Sequence, residues 1–148
     1  MLQETLIELF ERDLGRLKAE VLAYRDESKL WHIDGEIKNS AGNLVLHLVG
    51  NLNHFIGATL GKAGYIRDRE REFATKNIAR GDLVEQIDAT MRVIRETLAG
   101  LSAEDLGKIY PLEVLGKKNM TTMFFLVHLT THLNYHLGQI NYHRRLCD

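Results

Sequence analysis

One cysteine, Cys147, and one proline, Pro111, occur in 148 residues. A lone thiol excludes an intrachain disulfide, so a reducing cytoplasm is the expected compartment. The scarcity of proline favours long uninterrupted helices, because proline is the strongest helix breaker. No apolar stretch approaches the roughly 20 residues that span a bilayer, so no membrane association is expected. The first residues, MLQETLIELFERDLGRL, carry Glu4, Glu8, Glu11 and Asp13 instead of a basic segment followed by an apolar run, and are not expected to be a signal peptide. A net charge of −1 gives no general attraction to nucleic acid or anionic lipid. The chain also lacks a glycine-rich phosphate loop, a GxSxG elbow, the HExxH of zinc proteases, the ExxH of carboxylate-bridged di-iron bundles and a CxxCH haem attachment.

What is present is helical patterning at the length of one domain, taken as residues 1–148. Leu6, Phe10, Leu14, Leu17 and Val21 recur at three- and four-residue spacing and predict a helix over about Leu2 to Tyr24. A second, apolar on most sides, is predicted from Ser40 to Leu60, with Asn39 or Ser40 as cap and Gly61 closing it in the left-handed conformation. Gly50 and Gly57 inside it imply close approach of another group or room for a ligand. Residues Lys62 to Arg80 read as a long connection around the charged run RDRERE, most simply a solvated loop, with Arg67 or Arg69 as a candidate anion contact. The third helix is predicted over about Asp82 to Leu98, with Ser102 and Asp105 capping one further turn. The segment YPLEVLGKKN suggests a short hairpin or an irregular loop, and the fourth helix runs from about Met120 to Leu146. Four amphipathic helices in one chain predict an all-α fold, a four-helix bundle with long connecting loops.

Five of the seven histidines fall in two of these helices: His47 and His54 in LVLHLVGNLNHFIG, and His128, His132 and His136 in VHLTTHLNYHLGQI. Four-residue spacing stacks imidazoles on one helix face. His128 and His136 are eight residues apart, about 12 Å along a helix, too far to share one ion at metal–nitrogen distances of about 2.0–2.1 Å. Either His128 with His132 or His132 with His136 fits, and His47 and His54, about 10 Å apart, do not pair. An i,i+4 pair plus one facing histidine makes a site with open positions, as in catalytic zinc centres, and imidazole suits zinc, nickel, iron and copper alike. His32 and His143 read as hydrogen-bonded structural histidines.

At these residues the chain resembles the DinB-like superfamily of four-helix metalloproteins. The carrying motif is HxxxH followed by xGQ, here His132 to Gln139, together with His47 in the apolar setting Val45-Leu46-His47-Leu48. NSAGNLVLHLVGNLNHFIG and GYIRDREREF are similar to one uncharacterised bacterial branch of it. The resemblance spans essentially the whole chain. It implies an up-down-down-up bundle, frequent homodimerisation, and a divalent metal, zinc or nickel first and iron or copper next, on His47, His132 and His136. His54 and His128 then move to the pocket wall with Asn51, Tyr135 and Gln139, and Trp31, Tyr65 and Arg67 are expected at the rim. Characterised relatives include metal-dependent transferases and isomerases that use thiols such as bacillithiol and mycothiol. Asn51 and His54 depart from residues often found there, which leaves the substrate class open. The resemblance thus implies a metal-dependent transferase activating a low-molecular-weight thiol on a small-molecule substrate. The alternatives are a metal-dependent hydrolase and a metal-stabilised module that binds a ligand or partner without catalysis.

Overall fold

The computed structural model describes residues 2–148, which are mostly helical with no extended strand among them. Four long helices carry the architecture: α1 (Leu2–Ala23), α2 (Ala41–Leu52), α4 (Arg80–Ala99) and α6 (Thr122–Cys147). Two short ones, α3 (Arg69–Ala74) and α5 (Ala103–Gly107), sit in the connections, and a 3₁₀ turn, Glu27–Trp31, lies between α1 and α2.

Side-chain pairs fix the directions. Lys18 meets Asp88 and Gln3 meets the Leu98 carbonyl, so α1 and α4 are antiparallel. Asn134 bonds Asp13 and Asn141 bonds Glu20, so α1 and α6 are parallel. His47 meets His132 while Phe55 meets Phe125, so α2 opposes α6. The bundle is therefore up-down-down-up, with α1 and α2 each flanked by α4 and α6. Its centre is Phe10, Leu14, Leu48, Leu52, Ile87, Leu129 and Leu133, all but fully buried, which is the apolar face that the periodicity predicts.

Local signals set the ends. The Ser40 hydroxyl accepts from the Asn43 amide and starts α2, and Ser102 with Asp105 forms a full capping box at α5. The loop after α5 closes with two isolated bridges, Ile109 with Thr121 and Val114 with Lys117. His143 is a structural histidine as expected: its Nε2 donates to the His32 carbonyl and its Nδ1 accepts from the Tyr24 hydroxyl.

Three details differ from expectation. The second helix does not run on as α-helix; from Asn53 to Ala58 it widens into a π-helix. Asn53 Nδ2 takes the Val49 carbonyl at 2.8 Å, competing with the backbone ladder, and the Thr59 amide reaches back five residues to His54. The Phe55 carbonyl is met instead by the Tyr110 hydroxyl at 2.7 Å. Gly61 does not supply the left-handed stop; Lys62 (φ 52°) and Gly64 (φ 72°) turn the chain. Finally, the run RDRERE is not a plain solvated loop: Asp68 caps α3, and Glu72 on that helix is buried.

Candidate metal centre

The crossing of α2 and α6 brings His47 against His132 and His136. His47 Nε2 lies 3.2 Å from His132 Nε2, which lies 3.1 Å from His136 Nε2. All three side chains offer a nitrogen within 4.8 Å of the others. Spacing alone left two helical pairs open; here His136, not His128, joins His132 and His47. The His128 ring stacks beyond His132 at a centroid distance of 6.4 Å.

The far side of two rings decides what those nitrogens are. His47 Nδ1 stands 3.0 Å from Glu72 Oε1. A carboxylate only accepts, so Nδ1 carries the proton and Nε2 a lone pair. His136 Nδ1 likewise donates to the Gln139 amide oxygen at 2.7 Å, leaving its Nε2 as a lone pair. Two lone pairs then face His132 Nε2, and one N–H there can satisfy only one of them. Nitrogens about 2.9–3.4 Å apart are what adjacent positions on an ion with bonds of about 2.0–2.1 Å require. The residues present therefore fit a divalent transition metal. The carboxylate and amide behind the rings are the partners that metal-ligating histidines usually have.

Glu72 is held from both sides. Arg67 Nε and Nη2 donate to its two oxygens at 2.8 and 3.0 Å, and His47 completes the set. Burial alone would raise the Glu72 pKa, but the hydrogen bonds from His47 and Arg67 and the guanidinium charge hold it below the usual carboxylate range. The anion is thus fixed behind His47. Gly50, one turn further along α2, makes the room: a Cβ there would sit 2.0 Å from Glu72 Oε2. The sequence reading missed Glu72. Its traces were a charged run with a capping Asp68 and an unexplained glycine on the histidine helix.

Burial first, and then the neighbouring imidazoles and the Arg67 guanidinium, push His132 down to about 4, and burial also lowers His136 and His54. Neutral imidazoles are the form a metal needs. The shift has a stability consequence. The unfolded chain, with His132 near its ordinary 6.5, binds more protons than the folded one as pH falls, so this contribution is complete above 6.5 and lost toward 4. Chelator-treated protein is expected to lose up to about 2 kcal/mol of stability between pH 7.5 and 5 through this ring. Urea unfolding at the two values checks it, and His132→Ala should remove that part of the pH dependence.

Beside the imidazoles opens a cavity of about 620 Å³ whose wall includes His47, Asn51, His54, Arg67, His128 and His132. His136 and Gln139 do not line it; they line a neighbouring pocket one turn further along α6, with Glu36, Lys38 and Tyr142. Tyr135 is 65% exposed and does not line this cavity; it borders a surface pocket with Leu9, Arg12 and Asn134 instead. Trp31 is not at this rim: it packs on α2, where a Cβ at Gly42 would stand 2.7 Å from its ring carbons. Tyr65 flanks the opposite side of α3, beside Leu46 and Val49.

Residues 4–148 match the model of a family described as protein of unknown function, DUF1572, and the chain belongs to that family. No curated protein matches it. Among the described residues, no helix is long and apolar enough to cross a membrane.

Proposed function

We propose that this DUF1572 protein is a metal-dependent enzyme of DinB-like type that activates a small nucleophile, a low-molecular-weight thiol first, on a divalent ion held by His47, His132 and His136. One observation carries the reading. The Nε2 atoms of His47 and His136, with protons fixed on the opposite nitrogens by Glu72 and Gln139, turn their lone pairs toward His132 Nε2. Three histidine ligands leave further positions open, as catalytic sites do and closed structural sites do not. The donor set suits zinc and nickel, and iron and copper as well, because imidazole ligates all four. When bound, such an ion supplies Lewis acidity that lowers the pKa of a thiol or water, as zinc lowers that of water to about 7.

The protein's own groups supply the rest. Glu72 keeps the His47 proton on Nδ1 and so turns that ring's Nε2 toward the site. His54 is kept neutral by burial and by Arg67, so it is able to accept the proton a nucleophile gives up, and His128 shares the same wall. Asn51, on the turn of α2 after His47, faces the cavity and serves to orient a bound molecule. Phe55 and Phe125, edge to face at 5.1 Å, limit water on the far side.

A screen with bacillithiol, glutathione and coenzyme A against an alkylating electrophile near neutral pH tests this, run with and without added zinc or nickel. Metal-dependent conjugation with one thiol is expected, lost in His132→Ala. The absence of a metal-dependent rate with any thiol would leave water activation or a non-catalytic binding role. The exposed apolar residues along α6, Phe124, Val127, Tyr135, Tyr142 and Leu146, are consistent with the homodimer that such a bundle is proposed to form.

A further inference from the structure

We infer that the cavity beside the three imidazoles takes an amphipathic organic acid: a carboxylate held by Arg69 and the free edge of Arg67, on an apolar body lying against Leu112, Leu115 and Phe125. This deepens the proposed function, since it names the class of molecule brought to that site, and rests on it.

The cationic end follows from counting donors. Arg67 spends Nε and Nη2 on Glu72, which leaves the Nη1 end of a planar fork without a carboxylate partner. The guanidinium is nearly buried, 12% exposed, and is part of the cavity wall. Arg69, an exposed residue, also lines the cavity; its guanidinium lies over the Phe73 ring at 5.5 Å, with no acid paired to it among the described residues. A guanidinium left without an acid beside a cavity is a carboxylate receptor in shape and charge. Asn51, 7% exposed, lies in the same wall.

The apolar end follows from what is left uncovered. Leu112 and Leu115 are 39% and 54% exposed although both border the cavity. Leu115 also takes a left-handed backbone (φ 54°), a conformation that leucine rarely adopts. Opposite them stands the Phe125 ring, itself braced by Phe55 and Tyr110. Strained loop residues of this sort gather where a ligand is gripped. One opposing charge, Glu113, lies in the same wall. It disfavours a dianion such as a phosphate ester more than a monoanion, which selects a carboxylate.

The test is calorimetric binding of 4-phenylbutyrate and of its neutral amide to wild-type protein, Arg69→Gln, Glu113→Gln and His132→Ala. The acid is expected to bind at least tenfold tighter than the amide. Arg69→Gln should bring the two within about threefold, and Glu113→Gln should widen the gap. Equal affinities, no binding of either, or a preference untouched by Arg69→Gln would overturn the inference, as would a phenylphosphonate that binds better than the acid. His132→Ala separates the two readings. A preference that survives in it shows that the arginines, not an ion, hold the carboxylate. A preference that disappears shows the acid was an ion's ligand, which overturns this inference and keeps the metal. Wild-type protein that binds no metal and still prefers the acid would fail the metal reading alone.

Discussion

His132→Ala will take the bound metal from about one ion per chain to none, while the helices stay folded. His132 Nε2 is the atom that both other rings approach, at 3.2 Å from His47 and 3.1 Å from His136. Without it two imidazoles on different helices remain, and neither belongs to an i,i+4 pair on α6. His128→Ala is the matched control. It removes a ring of the same size from the preceding turn, but one outside the convergent set, and should leave stoichiometry unchanged. Metal analysis of protein purified without a nickel column reads both variants. Retained metal in His132→Ala would sink the assignment. Circular dichroism should change little in the variant or after chelation, because the core of Phe10, Leu14, Leu48, Leu52 and Leu129 is closed without the site. Unfolding by chelator at room temperature would instead show a metal on which folding depends.

The apolar stripes made four helices legible before any coordinates. A face of Leu6, Phe10, Leu14, Leu17 and Val21 has one economical use, and the structure buries all five. Spacing made the i,i+4 histidines legible as a pair but not which pair; the resemblance alone pointed to His132 with His136. That choice depends on where α2 crosses α6, a property of packing between chain segments about 85 residues apart, which local spacing does not encode. The π-helix was hidden for a related reason. It arises because Asn53 finds Thr90 on α4 as well as the Val49 carbonyl, and only tertiary contact offers the former. RDRERE misled because a run of charges usually stays in water. Glu72 is drawn inward by Arg67 five residues before it and by His47 on another helix. Two separate segments, RDRERE and the histidine helix α2, must meet before its burial costs less than exposure.

Gly50→Ala will show how tightly that meeting is drawn. On helix propensity alone the change should stabilise α2 by about 1 kcal/mol. The new Cβ, however, would fall 2.0 Å from Glu72 Oε2 and 2.6 Å from its carboxyl carbon. Glu72 has no slack to give: Arg67 grips both oxygens and His47 one of them. Either α3 moves off α2, or the carboxylate leaves and Arg67 is stranded at the cavity wall. Breaking a buried ion pair costs about 3–5 kcal/mol, and overpacking alone about 1–3, so the clash outweighs the propensity gain. A net loss of about 2–4 kcal/mol is expected by urea unfolding. Metal affinity should fall about 10–100-fold or more, because His47 loses the partner that sets its tautomer. Gly15→Ala on α1, where a Cβ would meet nothing within 4 Å, isolates the propensity effect and should stabilise by about 0.5–1 kcal/mol. If Gly50→Ala instead matched Gly15→Ala, with metal affinity intact, Glu72 would be a bystander to the histidines.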